Sequence, residues 1–312
     1  MKTALVFPGQ GSQYIGMGHD FFQKYSSSRE IYKILDDTMR SNMSDLIFRG
    51  DEDKLSQTKN SQPSIMATSI AIFQALKSEN LLPNDQYDCV AGHSLGEYSA
   101  LVANESLTFQ DAIRLIKVRS EAMQESMPLG TGGMVALIGV SNDDVFNCIN
   151  HASNHGKIFV ANDNAPSQVV LSGEINSINY ILNNYKDLKI KRAIKLPVSA
   201  PFHCELMQNA ALVMKNEISN YSFKKFKVPL FSNVTSEKCN ESEICDLLVK
   251  QIVSKVRWRE IIDNLANNKV KRFIEIGPGN ILTNMIRRTY KNLETLSISK
   301  LEDLDKLDKI NL

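Results

Sequence analysis

Residues 2–7 are a short β-prone run that stops at Pro8-Gly9-Gln10-Gly11, the pattern of a buried strand opening into a glycine-rich loop. Residues 64–78 carry apolar side chains at helical spacing, and residues 89–92 predict a strand that enters a turn at Ser94. From Met134 the character changes. Strand-like runs at 134–140, 158–160, 169–171 and 193–198 alternate with helical patterns at 143–152 and 175–185, the βαββαβ order of a ferredoxin-like unit. The glycine-containing lead-in Met127-Pro128-Leu129-Gly130-Thr131-Gly132-Gly133 marks where it begins. Strands at 230–233 and 272–276 then surround a long helical stretch at 242–264, and 301–309 reads as a solvated amphipathic helix.

This alternation predicts an α/β fold: a large domain built on a mostly parallel sheet covered on both faces, interrupted by an inserted ferredoxin-like small domain. The expected boundaries are 1–126 and 198–312 for the large domain and 127–197 for the insertion. The 312 residues are enough to bury a substantial core.

Charge narrows the partners. Lys plus Arg number 36 against 35 Asp plus Glu, a balance that leaves no electrostatic footprint for nucleic acid or anionic lipid. No apolar run is long enough to span a membrane, so a cytoplasmic protein is expected. The five cysteines lack any CxxC pair and the five histidines lack zinc-ligand spacing, so reduced thiols and no metal are expected.

Gly92-His93-Ser94-Leu95-Gly96 matches the G-x-S-x-G nucleophile elbow, in which glycines make room for a sharp strand-to-helix turn that lifts the serine hydroxyl clear of the sheet. A turn closed by a capping serine is the competing explanation, and the strand before and helix after the motif favour the elbow. A serine nucleophile needs a base. His93 should point away from Ser94 on so tight a turn, which leaves His203, after the insertion, as the candidate. No acidic residue between serine and histidine stands out as a third member, so the imidazole is held either by a main-chain carbonyl or amide, or by an acid from elsewhere such as Glu275.

Arg119 shares one helix face with Ala112, Leu115, Ile116 and Met123. An arginine in an apolar stripe must snorkel, pair with a carboxylate or line a pocket for an anion. Gln251, spaced helically with Leu247, Leu248 and Ile252, poses a similar question, the plainer answer being a core amide with its hydrogen bonds satisfied. Gly9-Gln10-Gly11 lacks the third glycine of a dinucleotide fingerprint, because Tyr14 stands there; this loop could instead present a backbone N–H to an oxyanion, together with that of Leu95.

Taken in order, Phe7-Pro8-Gly9-Gln10-Gly11-Ser12-Gln13, Gly92-His93-Ser94-Leu95-Gly96-Glu97-Tyr98-Ser99-Ala100, Arg119, Asn162-Asp163-Asn164-Ala165-Pro166, Phe202-His203, Gln251 with Val256-Arg257-Trp258, and Glu275-Ile276-Gly277-Pro278-Gly279 resemble the malonyl-CoA:acyl carrier protein transacylases of fatty acid synthesis. The resemblance spans nearly the whole chain. It implies an α/β-hydrolase-like large domain, Ser94 as nucleophile, His203 as base, Arg119 as clamp for the malonyl carboxylate, and the N–H groups of Gln10 and Leu95 as oxyanion hole. It also implies that the main-chain carbonyl of Gln251 orients His203, which would reduce the triad to a dyad. Malonyl-CoA, coenzyme A and acyl carrier protein are then the partners, the last bringing its own phosphopantetheine; no cofactor is needed and a monomer is expected. The chain departs from that family at Lys255, Ser120 and Asn104-Glu105. A hydrolase with the same elbow, or a non-catalytic module docking a carrier protein, are the rival readings. The first calls for a catalytic acid and an HGGG-type loop, and the second would not need Ser94, His203 and Arg119 together.

Overall fold

The computed structural model describes residues 1–82, 86–198 and 200–308. Among these residues ten strands form two sheets: β1 Lys2–Phe7, β2 Cys89–Gly92, β3 Gly132–Ile138, β4 Ile158–Ala165, β5 Gln168–Glu174, β6 Arg192–Lys195, β7 Leu230–Phe231, β8 Lys238–Cys239, β9 Val270–Ile276 and β10 Glu294–Ile298. The larger sheet has the order β10-β9-β1-β2-β7-β8 and is parallel except for β8 at its edge. β1 lies at its centre and is buried on both faces. Leu5 and Phe7 join a core built with the helices Ser26–Met39, Thr58–Ser78 and Phe109–Glu125, while Ala4 and Val6 join a second core with Trp258–Asn267 and Ile281–Thr289. Such two-sided burial is why β1 reads as a continuous apolar run.

The smaller sheet is antiparallel with the order β4-β5-β3-β6. Val135, Leu137, Val169 and Leu171 face the helices Asn142–Ala152 and Ile175–Asn184 in a third core. Met134, Ala136 and Val170 on the opposite face belong to the main core, so this sheet is buried on both faces.

Several boundaries differ from expectation. β3 starts at Gly132, because Gly132 and Gly133 pair with Glu174 and Gly173, and a Cβ on Gly132 would stand 2.5 Å from Pro201. The last strand of the insertion stops at Lys195; Leu196 N still donates to Met134 O at 3.0 Å, and Leu196, Pro197 and Val198 line a pocket. The single helix expected at 242–264 is two, Ile244–Val253 and Trp258–Asn267. Between them Val256 is extended: its N–H donates to Ala161 O at 2.8 Å and its carbonyl accepts from Asp163 N at 2.9 Å, bonds that a helical residue could not make. The helix expected from 64 starts at Thr58 and carries Pro63 within it. The C-terminal segment is a 3₁₀ turn, Leu301–Asp303, and a helix, Leu304–Asp308; Leu307 is buried against the core instead of solvated, and Lys309 lies outside the described residues. No helix among the described residues is long and apolar enough to cross a membrane. The five cysteines are unpaired, and Cys245 is the half-buried one among otherwise buried thiols.

Candidate active site

β2 ends in Gly92, and the chain reverses through Ser94 into the helix Gly96–Ala103. Ser94 has φ 55°, a left-handed conformation that costs a non-glycine residue roughly 1–3 kcal/mol and persists only where the surroundings over-determine it. They do so here. A Cβ on Gly92 would lie 1.9 Å from the carbonyl of Gly96, and one on Gly96 would lie 2.2 Å from Phe7 O, so both positions exclude any side chain. Asn233 brackets the turn: its Nδ2 donates to Gly92 O at 2.7 Å and its Oδ1 accepts from Ser94 N at 2.7 Å.

Ser94 Oγ lies 2.8 Å from His203 Nε2. His203 is itself left-handed (φ 60°), in a turn anchored to β5 by Ser172 Oγ donating to Phe202 O. Its Nδ1 lies 2.9 Å from the main-chain oxygen of Gln251. A carbonyl can only accept, so Nδ1 carries the proton and Nε2 faces the serine with a lone pair. Burial, and then the positive charge of Arg119, lower the pKa of His203 to about 3, which keeps the imidazole neutral. His93 turns the other way, with Nε2 2.8 Å from Asn164 Oδ1 and its ring edge-on to Trp258. Glu275, considered as an acid for the histidine, is elsewhere engaged: its carboxylate caps the helix Ile281–Thr289, accepting from Leu282 N, Thr283 N and Thr283 Oγ1. That possibility is overturned.

Arg119 is fully buried, and its hydrogen bonds run to neutral oxygens. Nη1 donates to Gln62 Oε1 at 2.6 Å, and Nη2 donates to Ser94 Oγ at 3.1 Å and to Gln251 Oε1 at 2.8 Å. Its Nε is buried without a partner among the described residues, and the guanidinium lies 5.6 Å from the centre of the Tyr98 ring. Gln251 therefore acts at both ends, since its side-chain Nε2 also donates to Ser94 O at 3.0 Å and to Glu97 Oε2 at 2.6 Å. Burial raises Glu97 to about 7, against the opposing pull of its hydrogen bonds with Gln251 and Asn233.

A cavity of about 110 Å³ opens over Ser94 and His203, lined by Gln10, Gln62, Met134, Asn162 and Phe202 among others. The N–H groups of Gln10 and Leu95 donate no hydrogen bond within the described residues. No cluster of three or more His, Cys, Asp or Glu side chains among those residues is arranged to hold a metal.

A family model described as an acyl transferase domain matches residues 4–306. The chain belongs to this acyl transferase family. It is similar to the malonyl CoA-acyl carrier protein transacylase of Bacillus subtilis, with 38% identity over 97% of this chain and 95% of that protein. Among solved structures, an acyl-carrier-protein-S-malonyltransferase from Bartonella henselae superposes with a TM-score of 0.95 at 38% identity, covering 99% of both chains. A malonyl-transacylase in complex with its type II PKS acyl-carrier protein superposes with a TM-score of 0.95 at 32% identity, covering 100% of both.

In this acyl transferase the structure brings together Ser94, His203, Arg119 and Gln251, from four separate segments, and sets Gln10 beside them. Sequence reasoning missed Gln62, Glu97 and Asn233. Glu97 had a legible signal, a carboxylate followed by six residues without a charge, Tyr98-Ser99-Ala100-Leu101-Val102-Ala103. Gln62 fell just outside the helix expected at 64–78, and nothing local distinguishes Asn233.

Proposed function

We propose that this acyl transferase moves a malonyl group from coenzyme A to the phosphopantetheine thiol of an acyl carrier protein, in the cytoplasm and as a monomer, supplying malonyl units for fatty acid synthesis. The observation that carries the reading is Arg119: a buried cation, hydrogen-bonded to the nucleophile itself, whose other acceptors are neutral amides. Such a guanidinium is poised for a carboxylate, and malonyl is an acyl group that carries one. The names of the similar proteins support the same substrate.

His203 Nε2 takes the Ser94 proton as Oγ attacks the thioester carbonyl. The N–H groups of Gln10 and Leu95 stabilise the tetrahedral oxyanion, and Arg119 grips the free carboxylate. The thiolate of coenzyme A leaves and takes the proton from His203. The carrier protein's thiol then gives its proton to His203 Nε2 and attacks the acyl-serine carbonyl; as that second tetrahedral intermediate collapses, the acyl C–Oγ bond breaks and His203 returns the proton to Ser94 Oγ. Throughout, Gln251 O holds Nδ1–H, so no carboxylate is required. No resident cofactor enters these steps.

We read residues 1–126 and 198–312 as one α/β-hydrolase-like unit and 127–197 as a ferredoxin-like insertion. The antiparallel order β4-β5-β3-β6, with both helices on one face, supports this division.

Intact-mass spectrometry after incubation with malonyl-CoA tests the proposal. The protein is expected to gain the mass of one malonyl group, mapped to Ser94, and to lose it on addition of carrier protein. Ser94→Ala is expected to gain none while melting like the parent; an adduct on that variant would overturn the nucleophile assignment, and discharge to water alone would favour a hydrolase.

A further inference from the structure

Glu97 takes no part in the steps above, yet its carboxylate is closed off from solvent in the first turn of the nucleophile's helix. The hydrogen bond from Gln251 Nε2, at 2.6 Å, is its strongest; weaker approaches from Asn233 N are 3.4 Å from each oxygen. The other end of that amide, Oε1, accepts from Arg119 Nη2 at 2.8 Å. The amide dipole thus points its positive end at the carboxylate and its negative end at the guanidinium. Two opposite buried charges are joined through one neutral group.

We propose that Glu97 is the counter-charge of Arg119, kept one amide away, and that it sets how tightly the site holds the substrate carboxylate. This rests on reading Arg119 as the carboxylate clamp. A buried arginine without any negative partner would be costly, while one in a direct fork with a carboxylate would have its donors already taken. Relay through Gln251 stabilises the cation and leaves its donors on neutral oxygens that a substrate carboxylate can outcompete. The same partial neutralisation keeps the acyl group from being held too firmly for transfer to the carrier.

The test is steady-state transfer from malonyl-CoA and from acetyl-CoA at pH 8 by the parent, Glu97→Gln and Arg119→Ala, with a melting curve for each. Glutamine keeps the shape and an acceptor but removes the charge. The expected result is a fall in KM for malonyl-CoA on the order of tenfold, the scale of removing a repelling unit charge roughly 10 Å from the substrate carboxylate at an effective dielectric of about 20. A lower kcat should accompany it, with the KM for acetyl-CoA unchanged. Glu97→Asp, which withdraws the charge by one methylene, should shift the malonyl KM the same way by less, and it decides the matter if Glu97→Gln does not fold. A malonyl KM that is unchanged or raised, or equal changes for both substrates, would overturn the inference. Should Arg119→Ala fail to discriminate malonyl from acetyl transfer, the clamp reading itself has failed; should it discriminate while the Glu97 variants do not, only the counter-charge has.

Discussion

Truncating Arg119 to alanine is the perturbation that separates a substrate clamp from a structural arginine. The guanidinium donates to Gln62 Oε1, Ser94 Oγ and Gln251 Oε1, all neutral. A malonyl carboxylate gripped by two of its N–H groups gains two charge-assisted bonds, each contributing roughly 1.5–3 kcal/mol. Giving up the bond to Ser94 Oγ offsets about 1 kcal/mol, so even at the low end some 2 kcal/mol remains, or about 30-fold in kcat/KM. Acetyl-CoA has no carboxylate to lose. Arg119→Ala is therefore expected to reduce malonyl transfer at least ~30-fold while acetyl transfer changes little or improves, and Arg119→Lys should recover little, because a point charge does not reproduce the planar fork. Removing the arginine also strands the amide oxygens of Gln62 and Gln251, so a lowered melting temperature is expected and assays belong well below it. Kinetics with both thioesters beside a melting curve give the answer. Equal losses for the two substrates would refute the reasoning, since they would mean that Arg119 only holds Ser94 and Gln251 in place.

His203→Ala should lose most of the acylation rate, whereas Glu275→Gln should lower thermal stability, through its helix cap, and leave the rate of the folded protein near the parent's; an equal loss of rate in both would contradict a histidine held by a main-chain carbonyl. Opposite proton linkages should nearly cancel between pH 7 and pH 5. His203, lowered to about 3 in the folded protein from 6.5, binds its proton first in the unfolded chain, so its contribution is present above pH 6.5 and falls by about 2 kcal/mol from pH 7 to 5. Glu97, raised to about 7 from 4.5, binds its proton first in the folded protein, so its contribution rises by about 2 kcal/mol over the same interval. Denaturant unfolding should then show Glu97→Gln losing stability relative to the parent on acidification and His203→Gln gaining it; parallel curves for all three would show that neither pKa is shifted. Gly92→Ala should destabilise by on the order of 3 kcal/mol or more, because the new methyl meets the backbone of Gly96 and Glu97, and a normally melting variant would contradict the elbow geometry.

Much of this was legible along the chain because the relevant physics is local. The apolar run of β1 announces a strand buried on both faces, and the glycines at 92 and 96 announce a turn too tight for side chains. The arginine within an apolar helical stripe announces a buried cation in need of an acceptor. What surrounds those residues was decided by the tertiary fold. Whether Nδ1 of His203 meets an acid or a carbonyl depends on where residues 48 positions away pack, and the answer is Gln251 O. That Glu275 caps a helix instead of serving the histidine depends on the turn through Gly277-Pro278-Gly279 that brings Leu282 and Thr283 back to it. The break at Val256 comes from pairing with Ala161 and Asp163 in the other sheet, a contact with no local signature that overrides the helical periodicity on either side. Gln62, Glu97 and Asn233 became meaningful for the same reason: a hydrogen-bonded amide or carboxylate takes its role from its partner, and here each partner lies on a different segment of the chain or on a different face of the turn. Periodicity and turn chemistry act over a few residues and can be read in order, whereas the partners of a buried polar group are assigned only when the sheets and helices close around it.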